Sequence, residues 1–280
     1  MKKLVFLAVL LVFVGSACAA DITTGLVGWW KMDAADATNA RLVKDYSGFG
    51  NDGTMGSLDQ WIAGGGLNFD GGFWGSSGIQ FTNTGADLIA DMALSSAVTV
   101  SYKATWGGLT NYEGRFDSGK GAQYPFDGRN AAGQRLLTAE FPTGEWSLNH
   151  VGGTSVWGWS TFKESSPGFI FKNVDTSKTW GDMITITMTV DFATGSYIMY
   201  VDGKVYASEA VPTTNSFAGL ATFYIGRDSN TYAVMEGNME DFRIYNRALT
   251  ADDVAALVPE PATLALLGLG SLALLRKKNN

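Results

Sequence analysis

Along AVTVSYKATW, Val98, Val100, Tyr102, Ala104 and Trp106 fall on one side of an extended chain, and Thr99, Ser101, Lys103 and Thr105 on the other. MITITMTV repeats the pattern, with Ile184, Ile186, Met188 and Val190 opposed to three threonines. Period-two alternation of β-branched and aromatic residues defines half-buried strands. SYIMYVDGKVYASEA reads as a hairpin, because Asp202-Gly203 tolerates the positive φ angles of a two-residue turn. Further strands are expected at Leu26–Met32, Gly78–Phe81, Ala221–Ile225 and Met239–Tyr245. Helix signals are weak; the best is LTADDVAAL, where Thr250 can cap the helix and Asp253 close a capping box. The pattern predicts an all-β fold, an antiparallel two-sheet sandwich. From Gly107 to Trp180 the chain is irregular and rich in Gly, Ser and aromatics. Strands are expected there without definable limits, on excursions where binding functions gather.

The two ends break the alternation. Lys2 and Lys3 precede an apolar run from Leu4 to Val14 and then GSACAAD, the layout of a secretory signal peptide. Ala17 and Ala19 hold the A-x-A positions, so cleavage is expected after Ala19 or Ala20, making residues 1–20 the signal. A lipoprotein reading of Cys18 stays open, although Gly15 stands where a leucine is usual. At the other end VPEPATLALLGLGSLALLRKKNN has fourteen apolar residues, Ala262–Leu275, against the roughly 20 a spanning helix needs. Residues 258–280 are therefore set apart from a single domain over 21–257.

Composition narrows the chemistry. Cys18 is the only cysteine, so a processed chain has neither disulfides nor cysteine-based zinc. Leaving out Lys2, Lys3, Glu260, Arg276, Lys277 and Lys278 takes the basic residues from 20 to 15 and the acidic ones from 27 to 26, a net charge of −11. Such a surface disfavours nucleic acid and suits neutral glycans and divalent cations.

Three segments carry a resemblance. GLVGWWKMDAAD with VKDYSGFGNDGTMGS and GGGLNFDGG, MITITMTVDFATGSYIMYVDGKVYASEA, and FYIGRDSN with GNMEDFRIYNRALTADDVAAL together resemble the laminin-G-like jelly roll of the concanavalin A-like lectin/glucanase superfamily. The resemblance implies a jelly-roll sandwich with its chain ends close together, and often a structural calcium ion. The implied calcium ligands are Asp241 and carbonyls around Ser47–Gly50, with Asp45, Asn51 and Asp70 as further neighbours. From the residues alone, DYSGFGNDG offers both an Asx-turn composition and oxygens for a hard cation. Arg243, two positions from Asp241, is read as its ion-pair partner. Pro259-Glu260-Pro261, the short apolar run and Arg276-Lys277-Lys278 resemble the PEP-CTERM sorting signal of Gram-negative bacteria. This implies transient inner-membrane association, processing by an exosortase-type protease, and delivery to the cell surface or beyond. A retained C-terminal anchor is the alternative.

Catalysis finds little support. His150 is the single histidine, without a nucleophile motif beside it, and the E-x-D-x-x-E spacing of the superfamily's glucanases is absent; neither Glu113 with Asp117 nor Glu236, Glu240 and Asp241 fits it. Binding is favoured instead. Tryptophan and tyrosine rings stack on sugars, and Tyr112, Trp146, Trp157 and Trp159 are the candidate glycan contacts. Trp106 continues an apolar face and is read as core. The expected role is a non-catalytic exported protein binding a glycan or extracellular polymer; a purely structural matrix component and a glycosidase are the alternatives.

Overall fold

The computed structural model describes residues 22–36, 40–57, 59–70, 78–81, 86–106, 123–133, 135–141, 155–160, 169–174, 183–227 and 235–258, with the backbone path alone over 155–160 and 169–174. The first strands are β1 (Leu26–Trp30), β2 (Leu42–Val43), β3 (Gly53–Met55), β4 (Gln60–Trp61), β5 (Leu67–Asp70) and β6 (Ile79–Phe81). Helix α1 (Ala86–Leu94) leads into β7 (Ala97–Trp106), β8 (Gln123–Asn130), β9 (Arg135–Phe141), β10 (Ser155–Ser160) and β11 (Phe169–Val174). Then follow β12 (Ile184–Asp191), β13 (Ser196–Val201), β14 (Lys204–Ala210), β15 (Leu220–Ile225), β16 (Glu236–Tyr245) and α2 (Ala251–Leu257).

The strands form two antiparallel sheets, the sandwich expected from the alternation and the jelly roll implied by the resemblance. Sheet A runs β14-β13-β12-β7-β16-β5-β4, with β1 also on β16; sheet B runs β11-β10-β9-β8-β15-β6-β3-β2. The four strands β8 to β11 lie in the region the sequence left undivided. The hairpin β13–β14 turns at Asp202 (φ 47°) and Gly203 (φ 75°), the positive pair that an Asp-Gly turn supplies. Helix α1 was not foreseen, being only nine residues long. It is held by tertiary burial of Leu88 and Met92, four positions apart on one helical face.

Six aromatic rings bridge the sheets. Trp30, Tyr102 and Phe242 come from sheet A, and Phe81, Phe126 and Phe223 from sheet B. Their centroids are 5.2 Å apart for Trp30–Phe81, 5.8 Å for Tyr102–Phe242 and 5.9 Å for Phe126–Phe242. Such pairs contribute about 0.5–1.5 kcal/mol each beyond the area they bury. Gly28 is required beside them, since a Cβ there would lie 2.4 Å from the Trp30 ring.

The threonine face of sheet A is not the solvated face that alternation implies. Thr99, Ser101, Thr187 and Thr189 are buried as fully as their apolar neighbours. Ser101 and Thr187 share a 2.8 Å hydroxyl contact, and Thr99 donates to the Arg247 carbonyl while accepting from the Leu249 N–H. Helix α2 covers this face through a small apolar cluster of Tyr200, Tyr245, Leu249, Val254 and Leu257. The expected capping box at Thr250 and Asp253 is present.

Strand β16 organises the first site. On one edge it pairs with β7 throughout; on the other β5 and β1 lie end to end, with Leu67 opposite Met239 and Trp30 opposite Phe242. Between them the register slips from Glu240 to Arg243, and Asp241 takes φ 55°. The Asp241 N–H donates to the Lys31 carbonyl at 2.9 Å. This is a β-bulge, a device that re-aims a side chain.

Candidate functional site

The bulge sends the Asp241 carboxylate to the outside of sheet A. There its Oδ1 accepts from the Trp29 indole N–H at 2.7 Å and from Arg243 Nε at 2.8 Å, while Oδ2 accepts from Arg243 Nη2 at 3.0 Å. The expected Asp241–Arg243 ion pair is thus present as a two-pronged clasp, and the guanidinium also lies 4.5 Å from the Trp29 ring centre. Lys31 Nζ sits between two rings, 4.7 Å from Trp29 and 4.3 Å from Tyr46. The Tyr46 hydroxyl donates to Asp36 Oδ1 at 2.7 Å. That hydrogen bond, then burial and the Asp36, Asp33 and Asp52 charges, push its pKa up to about 12.

Asp45 holds the neighbouring loop. Its Oδ1 accepts from the N–H groups of Trp29 (2.9 Å) and Ser47 (2.8 Å). Its Oδ2 accepts from Ser47 Oγ (2.7 Å) and the Asn51 N–H (2.9 Å). Asn51 Nδ2 in turn donates to the Val27 carbonyl, and Gly50 turns the chain at φ 74°. Of the six residues named as calcium ligands, Asp45, Ser47, Gly50 and Asn51 therefore share one loop, with Asp241 across Trp29 from it. Asp70 stands apart on β5 opposite Glu236, five residues along β16 from Asp241.

The two carboxylates nearest this loop are already engaged by protein donors. A carboxylate has about four acceptor positions, and Asp45 fills all four with protein donors. Asp241 is occupied by an indole and a guanidinium, whose positive charge repels a second cation. Among the described residues no group of three or more His, Cys, Asp or Glu side chains is placed to hold a metal ion.

A second polar arrangement lies on sheet B. Directly opposed residues of antiparallel strands share a face, so the pairings define rows across the sheet. One row runs Trp159, Ala139, Phe126, Ile225, Ile79, Met55. Its members from Ala139 to Met55 are buried in the core. Trp159 thus holds a core-row register position, and Trp157, two residues before it, has the same parity, opposite Lys172. The next row runs Ser160, Thr138, Asp127, Tyr224 on the outward face. Asp127 there is fully buried and accepts from Arg129 Nε at 2.6 Å, itself 5% exposed. Arg129 also donates to the Gly133 carbonyl, and the Arg227 guanidinium lies 5.0 Å from the half-buried Tyr224 ring. Sequence reading missed this row because FDGRNAAG looks like a turn. The alternation of Phe126 and Gly128 with Asp127 and Arg129 was the available signal.

Tyr112, Trp146 and His150 lie outside the described residues, as do Ala19, Ala20, Pro259, Glu260 and Pro261. Among the described residues no helix is long and apolar enough to cross a membrane.

The antiparallel sandwich agrees with comparison to known proteins. A laminin-G-type model of the concanavalin A-like lectin/glucanases superfamily matches residues 111–255, just over half of the chain, and the chain belongs to that family. Residues 257–278 match the PEP-CTERM protein-sorting motif, which marks the chain for export and sorting to the cell envelope. No curated protein sequence matches. Among solved structures, the binding domain of botulinum neurotoxin DC in complex with SialylT is similar at a TM-score of 0.61 and 13% identity, over 85% of this chain and 52% of that one. Trypanosoma rangeli sialidase in complex with sialic acid is similar at a TM-score of 0.55 and 16% identity, over 84% of this chain and 32% of that one. The chain thus spans about half of the toxin domain and a third of the sialidase, and the likeness is one of fold. That fold is shared by binding proteins and glycosidases alike.

Proposed function

We propose that this protein is a non-catalytic, carbohydrate-binding component of the bacterial cell surface or extracellular matrix, delivered there through its sorting tail. The observation that carries the reading is the outward row of sheet B. A fully buried carboxylate on a non-core face costs desolvation, so a buried ion pair such as this is a weak source of net stability. Its use is orientation: Asp127 fixes Arg129 and stands directly opposite Tyr224, an amphipathic ring of the kind that packs on sugars. The two fold relatives solved with SialylT and with sialic acid support a saccharide ligand. The absence of an E-x-D-x-x-E spacing from the sequence favours binding over cleavage.

A glycan microarray probed with the exported protein tests the reading. Reproducible binding is expected, weakened at least fivefold by Tyr224→Phe and more by Asp127→Asn, with thermal melts confirming that both variants fold. A blank array would refute it and favour a purely structural matrix component. Polysaccharide turnover abolished by one carboxylate-to-amide change would establish a glycosidase instead.

A further inference from the structure

The part of sheet A's outer face that α2 leaves open carries an unbroken polar row. Gln60 stands opposite Asn68, Asn68 opposite Asn238, and Asn238 opposite Thr105, so β4, β5, β16 and β7 contribute one residue each. Directly opposed residues share a face, and the adjoining row shows which face it is. Trp61, Leu67, Met239 and Ala104 form that row; the last three are fully buried and Trp61 packs against the core. The polar row therefore faces outward. Gln60 is exposed, Asn68 and Asn238 are half-buried, and Thr105 is recessed at 8% exposure. The Thr105 hydroxyl accepts from the Asn238 N–H at 3.4 Å. Among the described residues none of the three carboxamides makes a side-chain hydrogen bond.

The charges bordering this row are closed on themselves. Glu240 and Lys103, opposed one row further along, pair at 3.0 Å, and beyond them Arg243 clasps Asp241. In so acidic a domain, four uncharged polar groups side by side and flanked by closed ion pairs select for a ligand without charge. Each carboxamide offers two donors and an acceptor, the complement of vicinal hydroxyls, which also donate and accept. Adjacent strands lie about 4.8 Å apart, so the row is about 14 Å long, with one polar group at each step and a step comparable with the length of a pyranose unit. Strand pairing holds the four in register, which limits the ordering that a ligand must impose. We infer that this row is a second saccharide site and that its ligand is a neutral polysaccharide lying across the strands from β4 to β7. The inference rests on the saccharide-binding reading of this protein but shares no residue with the row around Tyr224, which looks out from the opposite side of the sandwich.

Titration of the isotope-labelled exported protein with neutral hexasaccharides of β-linked glucose, xylose and mannose, followed by NMR, tests the site. The side-chain NH2 signals of Gln60, Asn68 and Asn238 are expected to shift with at least one of these probes. Asn68→Ala and Asn238→Ala are each expected to weaken that binding about fivefold, the effect of losing one ordinary hydrogen bond, while Tyr224→Phe leaves it unchanged. Carboxamide signals of the wild type that stay fixed with every probe overturn the inference, whether or not the variants fold. Shifts confined to the surroundings of Tyr224 would overturn it too, while sustaining the sheet B site. Shifts confined to the carboxamide row would sustain this site and remove the other. An oligogalacturonate that binds the row more tightly than the neutral probes would overturn the assigned ligand class.

Discussion

Replacing Asp45 by asparagine isolates the contribution of one side chain to the closure of the N-terminal loop. The substitution is nearly isosteric and keeps one carbonyl oxygen, which can still accept from the Trp29 and Ser47 N–H groups. The new amide nitrogen replaces Oδ2 and faces two donors, Ser47 Oγ and the Asn51 N–H. The hydroxyl can reverse and accept, but the Asn51 N–H is buried and cannot. Leaving a buried donor unpaired costs about 1–3 kcal/mol. The two retained bonds lose their charge assistance, roughly half their strength, so the expected total is about 3 kcal/mol. Urea unfolding followed by tryptophan fluorescence should show a lower midpoint at unchanged slope. At about 2–4 °C per kcal/mol for a domain of this size, the melting temperature should fall by roughly 6–12 °C. The loss should be the same with calcium or with chelator. A loss under about 0.5 kcal/mol would refute the hydrogen-bond account. A wild type that falls to the variant's stability in chelator would show that the carboxylate serves a metal after all.

Three further outcomes follow from named contacts. Arg243→Met leaves Asp241 with the Trp29 indole alone; a loss of about 2 kcal/mol is expected in urea, modest because the pair is partly solvated, and added calcium should not restore it. Burial works to raise the Asp253 pKa, but hydrogen bonds from Arg247 and Thr250 outweigh it and hold the carboxyl below its ordinary value. Its contribution therefore stands above the unfolded-state pKa and disappears as pH falls through the folded one; amide exchange over 254–258 should accelerate in that acid window, and Asp253→Asn should remove the dependence. Gly226 has φ 75°, and a Cβ there would lie 2.4 Å from the Phe69 ring; Gly226→Ala should cost about 3 kcal/mol by overpacking and left-handed strain together, and a melting temperature within 2 °C of wild type would contradict that contact.

The elements that could be read in the sequence are those whose cause is local. Alternation marks β7 and β12 because one face of each meets the opposite sheet. Asp202-Gly203 marks a hairpin because few other pairs accept two positive φ angles. Thr250 and Asp253 mark a helix start because their reciprocal hydrogen bonds lie within one turn. The ion pair of Asp241 with Arg243 was visible for the same reason, two residues apart on one strand. Strands β8 to β11 were not separable, since Gly and Ser interrupt the alternation and FDGRN carries turn chemistry inside a strand. The saturation of Asp45 was also out of reach. An acidic, glycine-rich loop offers the same oxygens to a cation and to its own N–H groups, and only the path of β1 decides which receives them.

The sequence by itself determined that this chain makes an alternating, cysteine-free β-sandwich and carries a tag for export, because strand periodicity, turn chemistry and the tail's apolar-then-basic order are properties of neighbours along the chain. What the tertiary structure decided is which partner each residue meets. It placed Asp241 on a bulge facing Arg243 and Trp29, set Trp159 in the row of Phe126 rather than that of Asp127, and buried the threonine face of sheet A beneath α2. Those outcomes depend on register and on contacts between distant strands. A one-residue shift would reverse every one of them without altering the pattern of apolar and polar residues along the chain.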